Sequence, residues 1–472
     1  MSSKIYDVAV IGAGITGAMT AYHLSKYNLE IAVLEKCNDV AAGSTRANSA
    51  IIHAGYDAKE GTLKAKLNVK GSLMIADIAS SLGVHYDKCG SLVIGFDQAD
   101  LDHLKMLKAR GEANGVLGLE IINEDELREM EPNVSPNAKY ALYAPSAGIV
   151  CPYDLTYALC ENSATNGADF FFGFGVNKID YDGNLYTLGS ENGEIKAKYV
   201  LNSAGLFADE IARILGEELP FEIIPRRGEY MLLDKSEHGT ANHTIFVTPS
   251  EKGKGILVSP TVDGNIIVGP NANVVYSKTD TSVTVQGLEE ISEGASIIIP
   301  SINLDATITT FAGVRPTPTS GDFYIQESEK YKNFVHAAGI ESPGLAASPA
   351  IAEYILDIFK GCGLKLKKKK NYISTREPEG NCKLFYDMTD EERIAAIEKD
   401  ARYSRVICRC EMVTEGDIAA AIRRPIPAVN YDMVKRRTRV GMGRCQGAYC
   451  RIKAEKIISE ELSKLKQDGS DE

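Results

Sequence analysis

Four cysteines near the end of the chain have the spacing of a metal centre. Cys408 and Cys410 form C-x-C, and after 34 further residues Cys445 and Cys450 form C-x4-C. Two close pairs separated along the chain are typical of metal ligands. Four thiolates suit either a [2Fe-2S] cluster or structural zinc. The glycines of GMGRCQGAYC let the backbone wrap closely and leave N–H groups free for sulfur.

The start of the chain carries a motif that binds phosphate. IYDVAVIGAGITGAMTAYHL reads as strand, turn and helix, with Gly12, Gly14 and Gly17 in the pattern G-x-G-x-x-G. The first glycine permits a tight turn, the second lets the backbone approach a pyrophosphate, and the third brings the helix close to the strand. The first N–H groups of the helix, at Ile15 and Thr16, point towards the phosphates.

An acidic residue supports the same interpretation. Glu35, followed by Lys36, ends the strand IAVLE eighteen residues after Gly17. A carboxylate at this point binds ribose hydroxyls and repels a 2′-phosphate. The sequence therefore predicts a dinucleotide site, and the turn alone does not distinguish FAD from NAD.

These motifs need a scaffold of alternating strands and helices. VAVIG, IAVLE, KYVLNSAG and NFVHAAG are apolar runs typical of buried strands. GEYMLLDK, KGILVSPT and GNIIVGP favour an antiparallel sheet, and the D-G turn in VSPTVDGNIIVG predicts a hairpin. We expect an α/β, Rossmann-type domain with an inserted, mostly antiparallel β-sheet domain and a small C-terminal α-helical module that holds the cysteines.

The expected domain boundaries follow these patterns. Residues 1–360 form the first region, with nucleotide-binding segments at about 1–80, 145–215 and 325–360 and substrate-domain segments at about 81–144 and 216–324. Residues 361–399 are read as a lysine-rich linker and a helix that starts with a capping box at Thr389. Residues 400–465 form the cysteine module.

Composition limits the partners. The net charge of −12 argues against nucleic acid, which needs a basic surface. No apolar run approaches the roughly 18 residues that span a bilayer, and the N-terminus has no leader pattern. We expect a cytoplasmic protein with at most peripheral contact at the inner face of a membrane. The lysine run KLKKKK is either a solvated linker or a docking patch for an anionic membrane or an acidic partner.

Two further stretches carry a family resemblance. AAGSTRANSAIIHAGY and GIESPGLAASPA, together with the glycine turn, resemble the FAD-dependent oxidoreductases of the D-amino-acid oxidase and glycerol-3-phosphate dehydrogenase superfamily over nearly all of residues 1–360. The resemblance implies FAD as the cofactor. It implies FAD contacts at Ser44, Thr45, Asn48, Ser49, Val176, Ala204, Gly205, Gly313, Gly339, Ile340, Gly344 and Leu345.

The resemblance also implies residues for the substrate. Arg315, in TFAGVRPTPTSGDFYI, corresponds to an anion anchor over the flavin, and arginine suits that task because its fork bonds two oxygens. His53 is the candidate base for a hydroxyl proton. Tyr56 and Arg227 complete the predicted catalytic set, and the weaker candidates are Arg226, Tyr230, Thr248 and Lys254.

The C-terminal region resembles the bacterioferritin-associated-ferredoxin-like [2Fe-2S] domain of anaerobic glycerol-3-phosphate dehydrogenase large subunits. The closing C-x4-C departs from the C-x2-C of the stand-alone proteins. Arg409, Arg436, Arg437, Arg439 and Arg444 would offset the charge of a cluster and help a partner to dock.

The expected reaction is the oxidation of glycerol 3-phosphate to dihydroxyacetone phosphate. Electrons would leave through the cluster to a second flavoprotein or another acceptor subunit. Two alternatives remain open on sequence: a dehydrogenase of L-2-hydroxyglutarate, another 2-hydroxy acid or an amino acid, and a non-catalytic electron-transfer subunit.

Overall fold

The computed structural model describes residues 4–248, 255–376 and 383–468. Two compact units follow each other in the chain, the first ending at Tyr372 and the second beginning at Ile373. No helix among the described residues combines the length and the apolar character needed to cross a bilayer. Lys254, one of the weaker substrate-site candidates, lies outside the described residues.

The strands of the described residues, in chain order, are β1 Ile5–Ile11, β2 Ile31–Leu34, β3 Ile51–Ile52, β4 Tyr86–Asp87, β5 Ser91–Gly95, β6 Glu120–Asn123, β7 Tyr140–Ala144, β8 Gly148–Val150, β9 Ala168–Phe171, β10 Lys178–Tyr181, β11 Tyr186–Ser190, β12 Gly193–Asn202, β13 Ile223–Leu233, β14 Thr244–Val247, β15 Leu257–Pro260, β16 Ile266–Gly269, β17 Asn273–Val274, β18 Thr307–Pro318, β19 Tyr324–Glu327, β20 Phe334–Ala338, β21 Val406–Cys408 and β22 Val413–Thr414.

The α-helices of the same residues are α1 Ile15–Leu24, α2 Leu63–Ser81, α3 Gln98–Ala113, α4 Glu124–Met130, α5 Pro152–Thr165, α6 Ala208–Leu215, α7 Val285–Ile298, α8 Gly344–Gly361, α9 Asp390–Lys399, α10 Glu415–Ile422, α11 Tyr431–Thr438 and α12 Arg451–Asp468.

The first unit contains a parallel sheet that carries the glycine turn. Its parallel strands lie in the order β20-β12-β1-β2-β9, and β10, β11 and β19 extend it in antiparallel pairs. The four predicted buried strands are neighbours here, and the predicted α/β fold is confirmed. Their apolar faces are buried because helices cover a parallel sheet on both sides, and α1 packs against α5 and α8.

A second sheet of nine strands forms the other half of this unit. Its path is β17-β13-β16-β15-β14-β5-β7-β6, with β18 paired to β13. All its pairs are antiparallel except β14 with β5. The predicted D-G hairpin is the β15–β16 pair. Helix α7 covers one face and closes a core of aliphatic side chains that includes Ile291 and Ile298.

The second unit is small and mostly helical, as the sequence predicts. Helix α9 begins with the predicted capping box, in which Thr389 and Glu392 exchange hydrogen bonds. Helix α10 begins with a second box, between Thr414 and Asp417. A compact apolar core, including Ile418, joins the short β21–β22 pair to α10, α11 and α12.

Candidate functional site

The glycine turn joins β1 to α1 at the end of the parallel sheet. Gly12 has φ +98°, and a Cβ there would lie 2.7 Å from the Ser203 carbonyl oxygen. A Cβ on Gly17 would lie 1.9 Å from the Gly12 oxygen, so only glycine lets α1 start this close to the strand. Gly14, Ile15 and Thr16 line an open cavity. The start of α1 therefore borders space that a phosphate can enter. The Ile15 N–H, expected to face that phosphate, is instead bonded to the Thr45 hydroxyl.

Glu35 fixes the shape of this turn. It is buried, and its two carboxylate oxygens accept the N–H groups of Ala13 at 2.8 Å and Cys37 at 2.9 Å. Each oxygen keeps a lone pair for a ribose hydroxyl. Lys36 lies over the Phe207 ring, its Nζ 3.1 Å from the ring centroid. Burial lowers the pKa of Lys36, although nearby Cys37 and Glu35 act in the opposite direction.

The segment after β2 ties the turn to the second sheet. The Thr45 hydroxyl oxygen accepts the Ile15 N–H at 3.0 Å, and the Ser44 hydroxyl donates to the Val314 oxygen at 2.6 Å. Asn48 donates to the Thr45 oxygen at 2.8 Å. Ser49 approaches the Tyr230 hydroxyl at 3.3 Å. Four predicted cofactor residues thus form one rigid strip along the cavity.

The cavity has a volume of about 1600 Å³. That exceeds the roughly 300–1,000 Å³ of ordinary small-molecule pockets, so it can hold a dinucleotide together with a substrate. The predicted site residues that line it are Gly12, Gly14, Ile15, Thr16, Glu35, Lys36, Ser44, Thr45, Asn48, Ser49, His53, Tyr56, Val176, Ala204, Gly205, Gly313, Arg315, Ile340, Gly344 and Leu345. Gly17, Gly339 and Arg227 lie outside its lining.

Glycine contacts explain two of these positions. A Cβ on Gly313 would lie 2.0 Å from the Ala47 oxygen, so β18 packs directly on the strip after β2. Gly339 has φ +64° and a Cβ there would meet Pro318 at 2.8 Å, which gives it a backbone role behind the cavity. Helix α8 begins at the cavity with Gly344 and Leu345, so its N-terminal dipole faces the space.

Two arginines stand opposite each other at this cavity. Arg226 on β13 pairs in register with Arg315 on β18, and both line the space. No carboxylate among the described residues forms an ion pair with either side chain. Like charges directly opposite on a sheet are unfavourable. An anion bound between them would relieve this repulsion, which makes the pair a candidate anion site.

Arg227 points elsewhere. Neighbouring residues of a strand face opposite sides of the sheet, and Arg227 is buried on the side away from the cavity. It donates to Asp280 at 2.8 Å and to Ser282 at 2.6 Å, and it lies 3.6 Å from Glu229. The structure therefore brings Arg226, not Arg227, together with Arg315 and His53.

His53 follows β3 directly and lines the cavity. Its Nε2 lies 3.3 Å from the Ser342 hydroxyl, and its ring centroid lies 6.0 Å from that of Phe246. Asn68 donates to its backbone oxygen at 3.1 Å. Tyr56 is deeper, and burial raises the pKa of its hydroxyl. Thr248 also lines the cavity, with its hydroxyl bonded to Asp100 at 2.5 Å.

Sequence reasoning missed the residues that support Arg315. The backbone oxygen of Asn271 accepts from Arg315 Nη2 at 3.3 Å, and the Asn271 amide bonds to Glu229 at 2.6 Å. Glu229 is fully buried and also accepts the Thr284 N–H at 2.6 Å. Gly228 leaves room for the guanidinium, because a Cβ there would lie 2.7 Å from Nη2. The sequence holds no local signal for these long-range contacts.

The second unit brings its four cysteines into two close pairs. The Cys410 and Cys445 sulfurs lie 3.9 Å apart, and the Cys450 thiol contacts Cys408. Separate pairs fit a two-iron cluster, which shares four thiolates between its two irons.

The backbone around the cysteines supports bound sulfur. Although burial alone would raise the pKa of Cys445, the N–H groups of Tyr449, Gly447 and Ala448 lower it. A Cβ on Gly443 would lie 2.4 Å from the Cys410 Cβ, so glycine permits this approach.

The five arginines predicted around the cysteines differ in exposure. Arg437 and Arg439 are buried, Arg436 is half-buried, and Arg409 and Arg444 are exposed. The buried Arg439 forms an ion pair with Glu411 at 2.8 Å.

The doubly wound sheet, the glycine turn and the arginine-lined cavity define an oxidoreductase that binds a dinucleotide. Residues 7–358 match the family model "FAD dependent oxidoreductase", and the chain belongs to this family. Residues 406–460 match the "BFD-like [2Fe-2S] binding domain". FAD and a [2Fe-2S] cluster are thus its cofactors, and the cluster rather than zinc belongs to the cysteine module.

Similar proteins include a "Glycerol 3-phosphate dehydrogenase" of Caloramator mitchellensis, 44% identical over 97% of this chain and 95% of that protein. A "Glycerol 3-phosphate oxidase" of Mycoplasma genitalium is 31% identical over 78% of this chain and 97% of the length of that oxidase. An "L-2-hydroxyglutarate dehydrogenase" of Escherichia coli is 32% identical over 58% of this chain and 65% of its own.

A solved structure is similar as well. The FAD-bound, dithionite-reduced L-alpha-glycerophosphate oxidase of Mycoplasma pneumoniae has a TM-score of 0.74 and 29% identity, over 79% of this chain and 98% of that one.

Proposed function

We propose that this chain oxidises glycerol 3-phosphate at C2 to dihydroxyacetone phosphate. The main support is that Arg226 and Arg315, which form no ion pair with a carboxylate of the described residues, line the same cavity as His53 and the start of α8. The similarity to a glycerol 3-phosphate dehydrogenase over 97% of the chain supports the same substrate.

The arginine pair supplies the binding step. Arg315 is half-buried and directed by Asn271, and Arg226 approaches from the more exposed side. Two guanidinium forks can hold a phosphate through charge-assisted hydrogen bonds. Because an anion between the two guanidinium groups offsets their mutual repulsion, binding selects an anionic substrate. The carbon chain of the bound substrate then extends towards His53.

His53 supplies the proton transfer. Oxidation of a secondary alcohol removes the hydroxyl proton and a hydride from the same carbon. FAD, when bound, accepts that hydride. An imidazole nitrogen of His53 takes the hydroxyl proton, and the Ser342 hydroxyl, 3.3 Å from Nε2, lies close enough to give up that position to the substrate hydroxyl. The N-terminal dipole of α8 favours negative charge at its end of the cavity.

The cysteine module is the proposed exit for electrons. We assign it to residues 400–465, joined through 361–399. A [2Fe-2S] cluster, when bound, carries electrons singly. Its ligand Cys410 is exposed, and large apolar side chains near the cysteines are exposed too: Met412 at 50%, Tyr449 at 85% and Ile452 at 81%. With the exposed Arg409 and Arg444 this surface suits a second flavoprotein or another acceptor subunit.

The alternative substrates differ in their anionic groups. L-2-hydroxyglutarate carries two carboxylates, which two arginines also bind, and a dehydrogenase of that compound is 32% identical over 58% of the chain. An anaerobic substrate panel with flavin absorbance as readout separates these choices. Bleaching by glycerol 3-phosphate and not by L-2-hydroxyglutarate or amino acids supports the proposal. Bleaching by another panel member alone replaces the substrate, and no bleaching by any of them favours the non-catalytic electron-transfer subunit.

A further inference from the structure

The lysine run 365–370 is held against the first unit rather than hanging free. The Asn28 N–H donates to the Lys367 oxygen at 2.8 Å, and the Lys369 N–H donates to the Lys26 oxygen at 2.9 Å. Tyr27 and Lys368 form an antiparallel bridge. These bonds turn the segment into a fixed part of the surface.

Hydrogen bonds hold the run at both ends, and its side chains divide into buried and exposed ones. The Tyr199 hydroxyl donates to the Cys362 oxygen at 3.3 Å, and the Tyr372 hydroxyl donates to Asn162 at 3.0 Å. Leu364 is buried, and the Lys369 ammonium turns inward to the Asn166 oxygen. The other four lysines, Lys365, Lys367, Lys368 and Lys370, remain exposed.

These exposed lysines have no acidic partners. None of the four forms an ion pair with a carboxylate of the described residues, and neither does Lys26 beside them. Burial is the main cause that lowers the pKa of the half-buried Lys26; Glu353 acts in the opposite direction, and the nearby Lys368 lowers this pKa further. In a chain with net charge −12, these four exposed lysines without ion pairs form a local concentration of positive charge.

We propose that this lysine surface docks the protein on an anionic membrane. The negative charge elsewhere on the chain does not prevent docking, because physiological salt screens charges beyond roughly 8 Å. Each lysine of such a row adds to the attraction between the protein and an anionic lipid surface. The inference is independent of the substrate proposed above.

The chemistry of the surface favours lipid over an acidic protein. Protein interfaces are depleted in lysine and centre on buried aromatic, methionine or arginine anchors. None of the strongly exposed large apolar side chains of the described chain lies within 362–372. Lysine presents hydrated point charges on flexible stems, which suit many mobile headgroups better than one fixed bidentate partner.

The test is vesicle co-sedimentation of the full-length holoenzyme. Vesicles of phosphatidylcholine with about one-third phosphatidylglycerol are compared with pure phosphatidylcholine, at low and high salt. The variant is Lys365→Gln/Lys367→Gln/Lys368→Gln/Lys370→Gln. The matched control, Lys88→Gln/Lys139→Gln/Lys196→Gln/Lys332→Gln, makes the same change of net charge at exposed lysines elsewhere on the first unit.

Wild type and control should bind the anionic vesicles in a salt-sensitive manner and ignore neutral ones. The patch variant should lose roughly a hundred-fold or more in partitioning, because each lysine contributes about fivefold. Substrate-driven flavin bleaching in solution checks that the variant is folded. Equal binding by both variants, equal binding to neutral vesicles, or no binding by wild type would overturn the proposal. Binding of wild type to soluble poly-glutamate but not to vesicles would overturn it in favour of an acidic protein.

Discussion

The two units of this chain treat their reactive groups in opposite ways. In the first, His53 and the arginine pair line a deep cavity, open to solvent, whose walls are fixed by buried contacts such as Glu35 with the glycine turn and Glu229 with Asn271. In the second, Cys410 is exposed beside the exposed Tyr449. Hydride and proton transfer need a site that positions substrate and excludes water, whereas a single electron can leave through a surface ligand.

Loss of a cluster ligand should have the largest effect: electron delivery should stop while flavin reduction continues. We expect Cys410→Ser to lose the visible and EPR signals of the cluster, and with them electron delivery to an external one-electron acceptor. Flavin reduction by substrate should stay within about twofold of wild type, because the cavity lies in the other unit. Cys362→Ser is the matched control and should change neither signal. Equal loss of flavin reduction in Cys410→Ser would mean that the units do not work separately.

Removal of the proposed base should slow the chemistry itself. His53→Asn should lower the rate of flavin bleaching by roughly 100- to 10,000-fold, the usual contribution of general base catalysis. The flavin spectrum should be unchanged, since the residues of the glycine turn are untouched. Stopped-flow absorbance measures the rate, and His85→Asn, exposed and away from the cavity lining, serves as control. A rate within tenfold of wild type would remove His53 from the mechanism.

The arginines of β13 and β18 test the two faces of the sheet that these strands share. Arg315→Ala should weaken substrate binding by roughly 10- to 100-fold, because a charge-assisted hydrogen bond is worth about 1.5–3 kcal/mol. Arg315→Lys should fall in between, since it keeps charge but loses the fork. Arg226→Ala should act in the same direction with a smaller effect.

Arg227→Ala should instead lower the melting temperature. It removes the ion-pair partner of Asp280 and takes the nearby positive charge away from the buried Glu229 carboxylate. Titration of flavin bleaching against substrate and thermal melting together separate the two classes. Weaker substrate binding in Arg227→Ala at unchanged stability would contradict the assignment of the two faces.

This pair also marks the limit of sequence reasoning. R-R in PRRGEYMLL identifies a candidate strand near the substrate, yet which arginine faces the cavity depends on the register of β13 with β18. The glycine turn, the D-G hairpin and the capping box at Thr389 are encoded by neighbouring residues and could be predicted. The buried Glu229 and Asn271 could not, because their contacts join segments about forty residues apart. The cysteine spacing predicted a metal module, while the choice of cluster over zinc needed the family match.

Acid should weaken the first unit more than the second. All seven histidines of the chain precede residue 337, so the second unit has none. Burial, with Lys26 and Lys70 nearby, lowers the pKa of His23 to about 3, and burial lowers that of His336 despite Glu217. Unfolding lets these rings take up protons below pH about 6.5. The stability they contribute is present above that pH and is lost as pH falls towards 3.

Between pH 7 and pH 5 we therefore expect the melting transition of the first unit to fall by a few degrees, with a loss of about 2 kcal/mol from His23 alone. Differential scanning calorimetry measures this shift. His23→Leu should flatten the pH dependence of the first transition and leave the second unchanged. A pH dependence that survives in His23→Leu would assign it to other groups.

The most direct test follows flavin and cluster together in one anaerobic experiment. Glycerol 3-phosphate is added to the purified holoenzyme, with L-2-hydroxyglutarate in parallel, while absorbance reports the flavin and freeze-quenched EPR reports the cluster. We expect fast flavin bleaching by glycerol 3-phosphate alone, followed by the EPR signal of a reduced [2Fe-2S] cluster. A flavin that stays oxidised with glycerol 3-phosphate, or a cluster that stays oxidised beside a fully reduced flavin, would contradict it.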